Sequence, residues 1–241
     1  MLQNDPLKET FMKFSLVIPC YNEADNLPLL MKRCGELAIR SDIEVILVDN
    51  GSTDSTAAVL KSLLTQYPGC RSIRIEKNQG YGFGIWSGLK EAKGDILGWT
   101  HADIQTDPKD ALLGLELYEK HGGDIFVKGR RKDRPLMDVF FTTGMSVFET
   151  ILLAQPMWDI NAQPTIFSRN FFETWILPPD DFSLDLYAYY HALQQGLKVY
   201  RFPVKFSKRA HGVSHWNISW IAKYKFVCRT VKYSFKLKRR L

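Results

Sequence analysis

The chain repeats one local pattern, in which a short apolar run ends in polar residues and is followed by apolar residues at helical spacing. The first unit joins residues 14–19 to 27–37, and the second joins 44–49 to 57–64. Short runs rich in Val and Ile are typical of buried strands, and a spacing of three to four indicates a helix. Two such units in succession predict an α/β protein with a parallel sheet and right-handed crossovers.

Mostly polar residues stand at the carboxyl ends of the predicted strands, which is where open parallel sheets bind ligands. Those that follow the first, second and fourth predicted strands are Pro19, Tyr21, Glu23, Asp49 and the run His101-Ala102-Asp103-Ile104-Gln105. Residues spaced two apart on an extended segment face the same side, so His101, Asp103 and Gln105 are expected to project together. Because ligands bind beyond the carboxyl ends of the strands in open parallel sheets, the pattern predicts one crevice lined by these residues.

A cationic loop follows a later predicted strand. The run Lys128-Gly129-Arg130-Arg131-Lys132-Asp133-Arg134 comes directly after the apolar segment 124–127. Beside an acidic crevice, such a loop is what a polyphosphate bound with a divalent metal requires. A solvated loop without a ligand is the alternative, since charge runs are often simply exposed.

Composition indicates a globular protein. The 241 residues are 45% hydrophobic, which is enough for the core of one large domain. The four cysteines, Cys20, Cys34, Cys70 and Cys228, have no CxxC spacing, which argues against a disulfide framework or structural zinc and favours a reducing compartment. Residues 1–13 lack a signal-peptide core and no run of about 18 consecutive apolar residues occurs, so neither secretion nor a membrane span is expected.

Positive charge is concentrated at the end of the chain. Residues 216–241 contain eight Lys or Arg and no acidic residue, and subtracting these eight charges from the net +6 leaves −2 for residues 1–215. Apolar side chains recur there at helical spacing: Trp216, Trp220, Tyr224, Val227, Val231 and Phe235. The pattern predicts a domain of residues 1–215 with a basic amphipathic helix, 216–241, that lies on a membrane surface. Nucleic-acid binding is not expected, because the slightly acidic body offers no extended basic stripe.

A glycine-rich segment follows the third predicted strand. Gly80, Gly82, Gly84 and Gly88 partly match a dinucleotide fingerprint, but no acidic residue stands at the expected next strand end. An oxidoreductase is therefore a minor alternative. The glycines are instead expected to let a helix approach the sheet or a bound sugar closely.

Three segments, in order along the chain, resemble the family-2 glycosyltransferases of the GT-A fold: residues 17–23 (VIPCYNE), 48–54 (VDNGSTD) and 102–105 (ADIQ). The motif Arg209-x-x-Gly212-x-Ser214, after a Pro-containing strand, resembles the polyprenyl-phosphate branch of the dolichyl-phosphate mannose synthase type. The resemblance implies a Rossmann-like GT-A fold with a mainly parallel central sheet flanked by helices. It also implies inverting transfer of a sugar from a nucleotide-diphosphate sugar to a polyprenyl phosphate. Together with the basic tail and the reducing compartment, this predicts peripheral attachment to the cytoplasmic face of a membrane.

The resemblance implies roles for the predicted crevice residues. The residues implied in nucleotide binding are Pro19, Tyr21, Glu23, Asp49 and Asp103. Those implied in catalysis are Asp103, Arg131 and Arg209. Those implied in binding the acceptor phosphate are Arg134, Lys208, Arg209, Ser214 and His215. A divalent cation, Mg²⁺ or Mn²⁺, is expected at Asp103, with Gln105 and His101 as further ligands.

Two departures from the family pattern bear on these roles. The family has Asp-Ala-Asp where this chain has His101-Ala102-Asp103, which removes one negative charge from a site that suits hard oxygen ligands. His215 stands where this branch often has Lys, so one phosphate contact is expected to depend on pH.

Two other functions stay open at this point. One is transfer to a sugar hydroxyl, which needs a base such as Asp180, Asp181 or Asp185, whereas a lipid phosphate is already ionised. The other is a non-catalytic nucleotide-sugar-binding protein that lost turnover with the change to His101. Residues 137–153 are expected to form an apolar helix in the core or at a subunit contact, with a lipid groove as the alternative, and an oligomer remains open.

Overall fold

The computed structural model describes residues 13–207, residue 209 and a helix over 220–239 whose side chains are described from 227 onward. The strands within this part are β1 (Phe14–Cys20), β2 (Ile43–Asn50), β3 (Cys70–Ile75), β4 (Ile96–Trp99), β5 (Ile125–Lys132), β6 (Thr165–Ser168) and β7 (Lys198–Lys205). The helices are α1 (Leu27–Leu37), α2 (Thr56–Leu64), α3 (Tyr81–Glu91), α4 (Asp110–His121), α5 (Leu136–Leu153), α6 (Arg169–Glu173), α7 (Ser183–Gln194) and α8 (Trp220–Arg239).

The strands form one seven-stranded sheet in the order β3-β2-β1-β4-β6-β5-β7. Every neighbouring pair is parallel except the two that involve β6, which runs antiparallel to β4 and β5. Helices cover both faces, so β1 and β2 are buried along nearly their whole length. The predicted α/β class is confirmed, and the carboxyl ends of β1, β2, β4 and β5 meet at one edge.

Helix α3 lies unusually close to the sheet because glycines face it. A Cβ on Gly88 would lie 2.5 Å from Val17 Cγ1 and 2.8 Å from Val48 Cγ2. A Cβ on Gly82 would lie 2.3 Å from the carbonyl oxygen of Pro179. These contacts support the expectation that the glycine-rich segment permits close approach, here to the sheet and to the chain before α7.

Helix α5 presents its apolar side outward. Leu136, Phe140 and Ile151 are 87%, 77% and 76% exposed, so this side does not pack into the core as one reading of the sequence had it. Among the described helices, α5 is the one with the length and composition to cross a membrane. Polar residues such as Asp138 and Glu149 interrupt it, which is why no uninterrupted apolar run of that length stands in the sequence.

Helix α8 confirms the predicted helix in the basic segment, and it buries a side other than the predicted apolar stripe, whose contact with a membrane stays a prediction. Phe235 is 46% exposed, whereas Ser234 and Leu237 are buried. Ser234 Oγ donates a hydrogen bond of 2.6 Å to Oε1 of the fully buried Glu149 on α5. Trp216 and the side chains of Trp220 and Tyr224, which belong to the predicted apolar stripe, lie outside the described residues. A buried polar contact therefore fixes α8 against α5.

Gly88→Ala should destabilise the protein by about 1–3 kcal/mol, because the added methyl group has no room between the buried Val17 and Val48. Gly144→Ala on α5 is the matched control, since a Cβ there meets nothing within 4 Å and alanine favours a helix. Urea unfolding of both variants measures the difference. Equal stability of the two variants would contradict the close packing of α3.

Glu149→Gln should stabilise the protein at pH 8 more than at pH 5. Burial raises the pKa of Glu149 from 4.5 to about 7, so the folded state holds this proton more tightly than the unfolded chain does. The free energy of unfolding of the wild type therefore falls as pH rises from about 4.5 to above 7. The advantage of the variant should grow by roughly 2 kcal/mol over this range.

Urea unfolding at several pH values measures this effect, with Glu116→Gln at an exposed position of α4 as the control. A difference between wild type and Glu149→Gln that does not change with pH would contradict a buried ionisable contact at this position.

Candidate functional site

A crevice of about 400 Å³ opens at the carboxyl ends of the strands. Of the residues predicted from the sequence, those that line it are Pro19, Tyr21, Glu23, His101, Asp103, Gln105, Arg131 and Arg209. Side chains at the ends of β1, β4 and β5 and in the segment after β7 thus line one cavity, as the strand-end rule predicts for the first two of these strands. Lys208, Ser214 and His215 lie outside the described residues.

The loops after β1 and β2 are fastened to each other by side chains. Ser52 Oγ accepts a hydrogen bond of 3.0 Å from the backbone N–H of Asn22, and Thr56 Oγ1 accepts one of 2.9 Å from the N–H of Glu23. Asn22 Oδ1 in turn accepts from the N–H of Thr53 at 2.9 Å. These bonds hold Tyr21 and Glu23 at the mouth of the crevice on a rigid double loop.

Asp49 is placed differently from the prediction. Its carboxylate is buried, pairs with Arg74 and accepts a hydrogen bond of 3.0 Å from the N–H of Ser52. It does not line the crevice, although its neighbour Asn50 does. Asp49 therefore supports the double loop from behind. The pairing with Arg74 comes from the neighbouring strand β3 and could not be read from the local sequence.

Asp103 lies at the floor of the crevice and is 6% exposed. Its Oδ2 lies 2.8 Å from Nη2 of Arg209, and its Oδ1 accepts a hydrogen bond of 3.1 Å from the N–H of Gln105. The side-chain amide of Gln105 donates to the carbonyl of Ser207 at 3.3 Å. The ring of His101 stacks on Tyr81 with centroids 5.3 Å apart. The three predicted metal ligands are adjacent, and each already has another partner.

Among the described residues, no group of three His, Cys, Asp or Glu could hold a metal by itself. The donor set nevertheless suits Mg²⁺ or Mn²⁺ bound together with phosphates, because such ions often use one or two carboxylates and take substrate oxygens for the rest. Asp103 supplies the carboxylate, and its Oδ2 faces an arginine that can exchange partners. The residues present therefore fit a cation that arrives with a phosphorylated ligand.

Two arginines at the end of β5 share one carboxylate. Arg131 binds Asp159 through its backbone N–H at 3.0 Å and through Nε at 2.9 Å, and Nη1 of Arg134 lies 3.7 Å from the same carboxylate. Burial opposes ionisation of Asp159, but Arg131 outweighs it and lowers the pKa of that carboxyl. Both guanidinium groups lie over the ring of Phe206, at 5.4 and 5.8 Å. The predicted cationic loop is thus ordered rather than solvated at these two positions.

A second, smaller cavity of about 100 Å³ adjoins the crevice and shares Arg131, Asn161 and Phe182 with it. The remaining residues that line it, from α5, α7, α8 and the segments after β5 and α5, are Arg134, Phe141, Thr142, Met145, Ser146, Glu149, Ile160, Leu186 and Thr230. Its lining mixes apolar side chains with polar ones, including two arginines and Glu149. Arg134 faces this second cavity and does not line the main crevice.

Two buried ionisable residues, Lys128 and Asp185, interact near the crevice, and Asp185 belongs to its lining. Lys128 is fully buried, and its Nζ donates a hydrogen bond of 2.9 Å to Thr165 Oγ1. Burial lowers the pKa of Lys128 to about 7 and raises the pKa of Asp185, which accepts from Gln163 and lines the crevice. The sequence placed Lys128 in the cationic loop, but it belongs to strand β5. The apolar run before Lys128 could have indicated that the strand continues through this residue.

The carboxylates before α7 also have partners. Asp180 accepts a hydrogen bond of 3.1 Å from Trp86 Nε1, and Oδ2 of Asp181 lies 3.2 Å from Nε of Arg229 on α8. Asp181 and Arg229 both line the crevice. In the described part of the chain, the arginines of the crevice are Arg131, Arg209 and Arg229, and each is paired with a carboxylate. An entering anion would therefore exchange places with a carboxylate at any of them.

Comparison with known sequences places this crevice in a family context. The chain matches the family described as Glycosyl transferase family 2 over residues 15–170. It is 38% identical over 177 residues to an undecaprenyl-phosphate 4-deoxy-4-formamido-L-arabinose transferase of Photorhabdus laumondii, covering 70% of this chain and 53% of that protein. It is 34% identical over 119 residues to a dolichol-phosphate mannosyltransferase of Pyrococcus furiosus, covering 49% and 33%. The matches thus span between a third and about half of the length of these relatives.

Solved structures share the fold. A mannosyltransferase from Pyrobaculum calidifontis, in complex with GDP-Man and Mn²⁺, aligns with a TM-score of 0.69 and 18% identity, covering 93% of this chain and 64% of that one. Glucosyl-3-phosphoglycerate synthase from Mycobacterium tuberculosis, in complex with Mn²⁺, UDP and its product, aligns with a TM-score of 0.72 and 16% identity, covering 94% and 80%. At such identities the likeness concerns the fold, and it confirms the GT-A architecture expected from the sequence.

The family match covers well over half of the chain and includes the strand ends of β1, β2, β4 and β5 that build the crevice. The resemblance seen in the sequence motifs is thereby confirmed, and the chain belongs to glycosyl transferase family 2.

Proposed function

We propose that this protein transfers a sugar, with inversion, from a nucleotide-diphosphate sugar to a polyprenyl phosphate at the cytoplasmic face of a membrane. The observation that carries the proposal is the connection between the two cavities. The crevice with Asp103 at its floor adjoins, at Arg131, a smaller cavity lined in part by α5, a helix whose outer side exposes apolar residues. A charged donor suits the crevice, and the arginines of the smaller cavity suit a phosphate whose apolar chain lies along the exposed side of α5.

The donor is proposed to bind across the double loop and the floor of the crevice. Pro19, Tyr21 and Glu23 bound the nucleoside, and Asp49 contributes by holding the loop in place. The diphosphate lies toward Asp103 and Arg209, where charge can be exchanged. The complexes of the Pyrobaculum and Mycobacterium enzymes with nucleotides support a donor of this class.

A divalent cation, Mg²⁺ or Mn²⁺, is proposed to be held by Asp103 with His101 and Gln105 beside it. When bound, it neutralises charge that develops on the departing nucleoside diphosphate. Arg209, displaced from Asp103, is then positioned to pair with a phosphate instead. The presence of Mn²⁺ in the related structures supports this assignment.

The acceptor phosphate is proposed to lie at the junction of the two cavities, near Arg131 and Arg134. The predicted contribution of Lys208, Ser214 and His215 stays a prediction. A phosphate nucleophile is already ionised, so the reaction needs positioning and charge shielding rather than a base. The polyprenyl-phosphate transferases among the relatives support an acceptor of this kind.

A second candidate function, transfer to a sugar hydroxyl, is favoured by one residue. Asp185 lines the crevice, and burial raises its pKa, which makes it a stronger base than an exposed carboxylate. A hydroxyl acceptor would need such a base within reach of its proton. The choice of acceptor in the assay below separates the two functions.

Membrane contact is proposed to involve α5 as well as the basic helix. The apolar side of α5 is exposed, and α8, with exposed Lys236, Lys238 and Arg239, packs beside it. Apolar side chains can enter the acyl boundary of a membrane, and basic side chains next to them can bind its anionic headgroups. In this arrangement the second cavity is proposed to lie close to the membrane.

The purified protein, incubated with labelled UDP- and GDP-sugars, undecaprenyl or dolichyl phosphate and Mn²⁺, should form a lipid-linked sugar. Product that is extracted into organic solvent and depends on the lipid phosphate supports the proposal. Product on a free saccharide alone would favour the second candidate. Retained nucleotide binding without product from any donor would contradict an enzyme and favour a binding protein.

In the same assay, Asp103→Ala should lower turnover by about 100-fold or more, because it removes the carboxylate proposed to hold the cation. Glu36→Ala, which removes an ion pair with Lys109 on the surface, is the control and should turn over like the wild type. Titration with Mn²⁺ in the presence of donor, followed by electron paramagnetic resonance, should show weakened metal binding in Asp103→Ala only. Full activity of that variant would show that the cation lies elsewhere.

The double variant Phe140→Asp, Ile151→Asp should bind liposomes that contain anionic lipid at least tenfold more weakly. Each side chain loses on the order of 1.5–3 kcal/mol of apolar transfer free energy if it is fully buried in the membrane. Ile39→Asp, at an 81% exposed position outside α5, is the matched control. Flotation measures binding, and the truncation that removes residues 216–241 isolates the contribution of the basic helix. Unchanged flotation of the double variant would assign the contact to that helix alone.

A further inference from the structure

Helix α8 reaches into the crevice through one side chain. Arg229 lines the crevice, and its Nε lies 3.2 Å from Oδ2 of Asp181. The next residue, Thr230, lines the second cavity instead. One turn of α8 therefore covers the junction at which the two cavities meet.

The position of this turn is fixed by the buried contact between α5 and α8. Ser234, which lies one turn after Thr230, donates to Glu149 at 2.6 Å and is itself buried, as is Leu237. Sliding α8 along α5 would leave the buried carboxyl group of Glu149 without this hydrogen bond, which is costly. The contact thus sets where Arg229 stands relative to the crevice.

The three arginine pairs of the crevice differ in how easily they can open. The side chains of the Arg131–Asp159 pair are 12% and 17% exposed, and those of the Arg209–Asp103 pair are 27% and 8% exposed. The Arg229–Asp181 pair is the most exposed of the three, at 49% and 34%. Exposed pairs contribute about 0–1 kcal/mol, so an incoming phosphate can compete for Arg229 at little cost. Arginine binds phosphate through several parallel hydrogen bonds, which favours the exchange.

We propose that Arg229 binds the phosphate of the acceptor, so that α8 is a working part of the active site. The assignment rests on the proposed function. The acceptor phosphate would lie where the crevice adjoins the second cavity, near Arg131, which lines both, and Arg229, which lines the crevice and is followed by Thr230 in the second cavity. The donor diphosphate lies toward Asp103 and Arg209 instead. From the sequence alone, Arg229 was only one of eight basic residues in the terminal segment.

Steady-state kinetics of the full chain with a short-chain, detergent-soluble polyprenyl phosphate test this assignment. Arg229→Met should raise the KM for the acceptor about tenfold and leave the KM for the donor within about twofold, which corresponds to about 1.4 kcal/mol of acceptor binding. Arg229→Lys should give an intermediate value, because it keeps the charge and loses the planar fork. Asp181→Asn should not raise the KM for the acceptor, since it removes a carboxylate with which the phosphate competes for Arg229.

Lys232→Met is the matched control, because Lys232 is an exposed cation of the same helix outside the lining of both cavities. If it raises the acceptor KM as much as Arg229→Met does, the effect comes from general charge and the assignment is overturned. A change confined to the donor KM, or equal effects of Arg229→Met and Asp181→Asn, would also overturn it. Far-UV circular dichroism confirms that the variants are folded.

The two proposals fail in distinguishable ways. Absence of wild-type turnover with the lipid phosphate contradicts the proposed function itself, and the Arg229 assignment falls with it. Wild-type turnover together with an unchanged acceptor KM in Arg229→Met contradicts the assignment of Arg229 alone.

Discussion

The ion pair between Asp103 and Arg209 joins the two sides of the crevice. Asp103 follows β4 in the middle of the sheet, and Arg209 follows β7 at its edge. The same two segments are tied by the N–H of Ser207, which donates to the carbonyl of Gln105 at 2.7 Å. A carboxylate that is 6% exposed needs such a partner, because an unpaired buried charge is costly. The pair therefore lies where a ligand that enters the crevice can bind either the carboxylate of Asp103 or the guanidinium group of Arg209.

The sheet topology explains why cationic and anionic groups face one another there. Strand β6 lies between β4 and β5 and is antiparallel to both, so β4 and β5 run in the same direction. The carboxyl end of β5, with Arg131, consequently opens on the same edge as the end of β4, with Asp103. Gln163, just before β6, enters from this edge and reaches Asp185 on α7. One reversed strand thus brings residues distant in sequence to a common site.

Local patterns in the sequence were sufficient for the strands of the parallel half and for most of the crevice. Pro19, Tyr21, Glu23 and Asp103 lie together because strand ends meet at one edge, a rule that needs no tertiary detail. The partners of the charged groups could not be predicted in this way. Arg74 for Asp49 and Asp159 for Arg131 come from other segments, and their pairing is decided by packing.

Hydrophobic periodicity was also insufficient to predict the packing of the two helices α5 and α8. It indicates that a helix has an apolar face, but it does not say whether protein or another medium covers that face. Helix α5 keeps its apolar face exposed, and α8 buries Ser234 in place of the more apolar Phe235. A single buried carboxyl group, Glu149, selects that side of α8 by accepting a hydrogen bond. The spacing of apolar residues along a helix does not reveal buried polar contacts of this kind.

The pairing of every arginine in the described crevice bears on how fast a substrate arrives. Clefts lined by charges of one sign raise association rates by roughly 10- to 1000-fold through long-range attraction, and salt weakens that effect. A crevice whose cations are compensated by neighbouring carboxylates presents only a small net field to an approaching anion. Capture of an anionic ligand then depends on short-range exchange of ion-pair partners after collision. Its bimolecular rate constant should accordingly vary little with ionic strength.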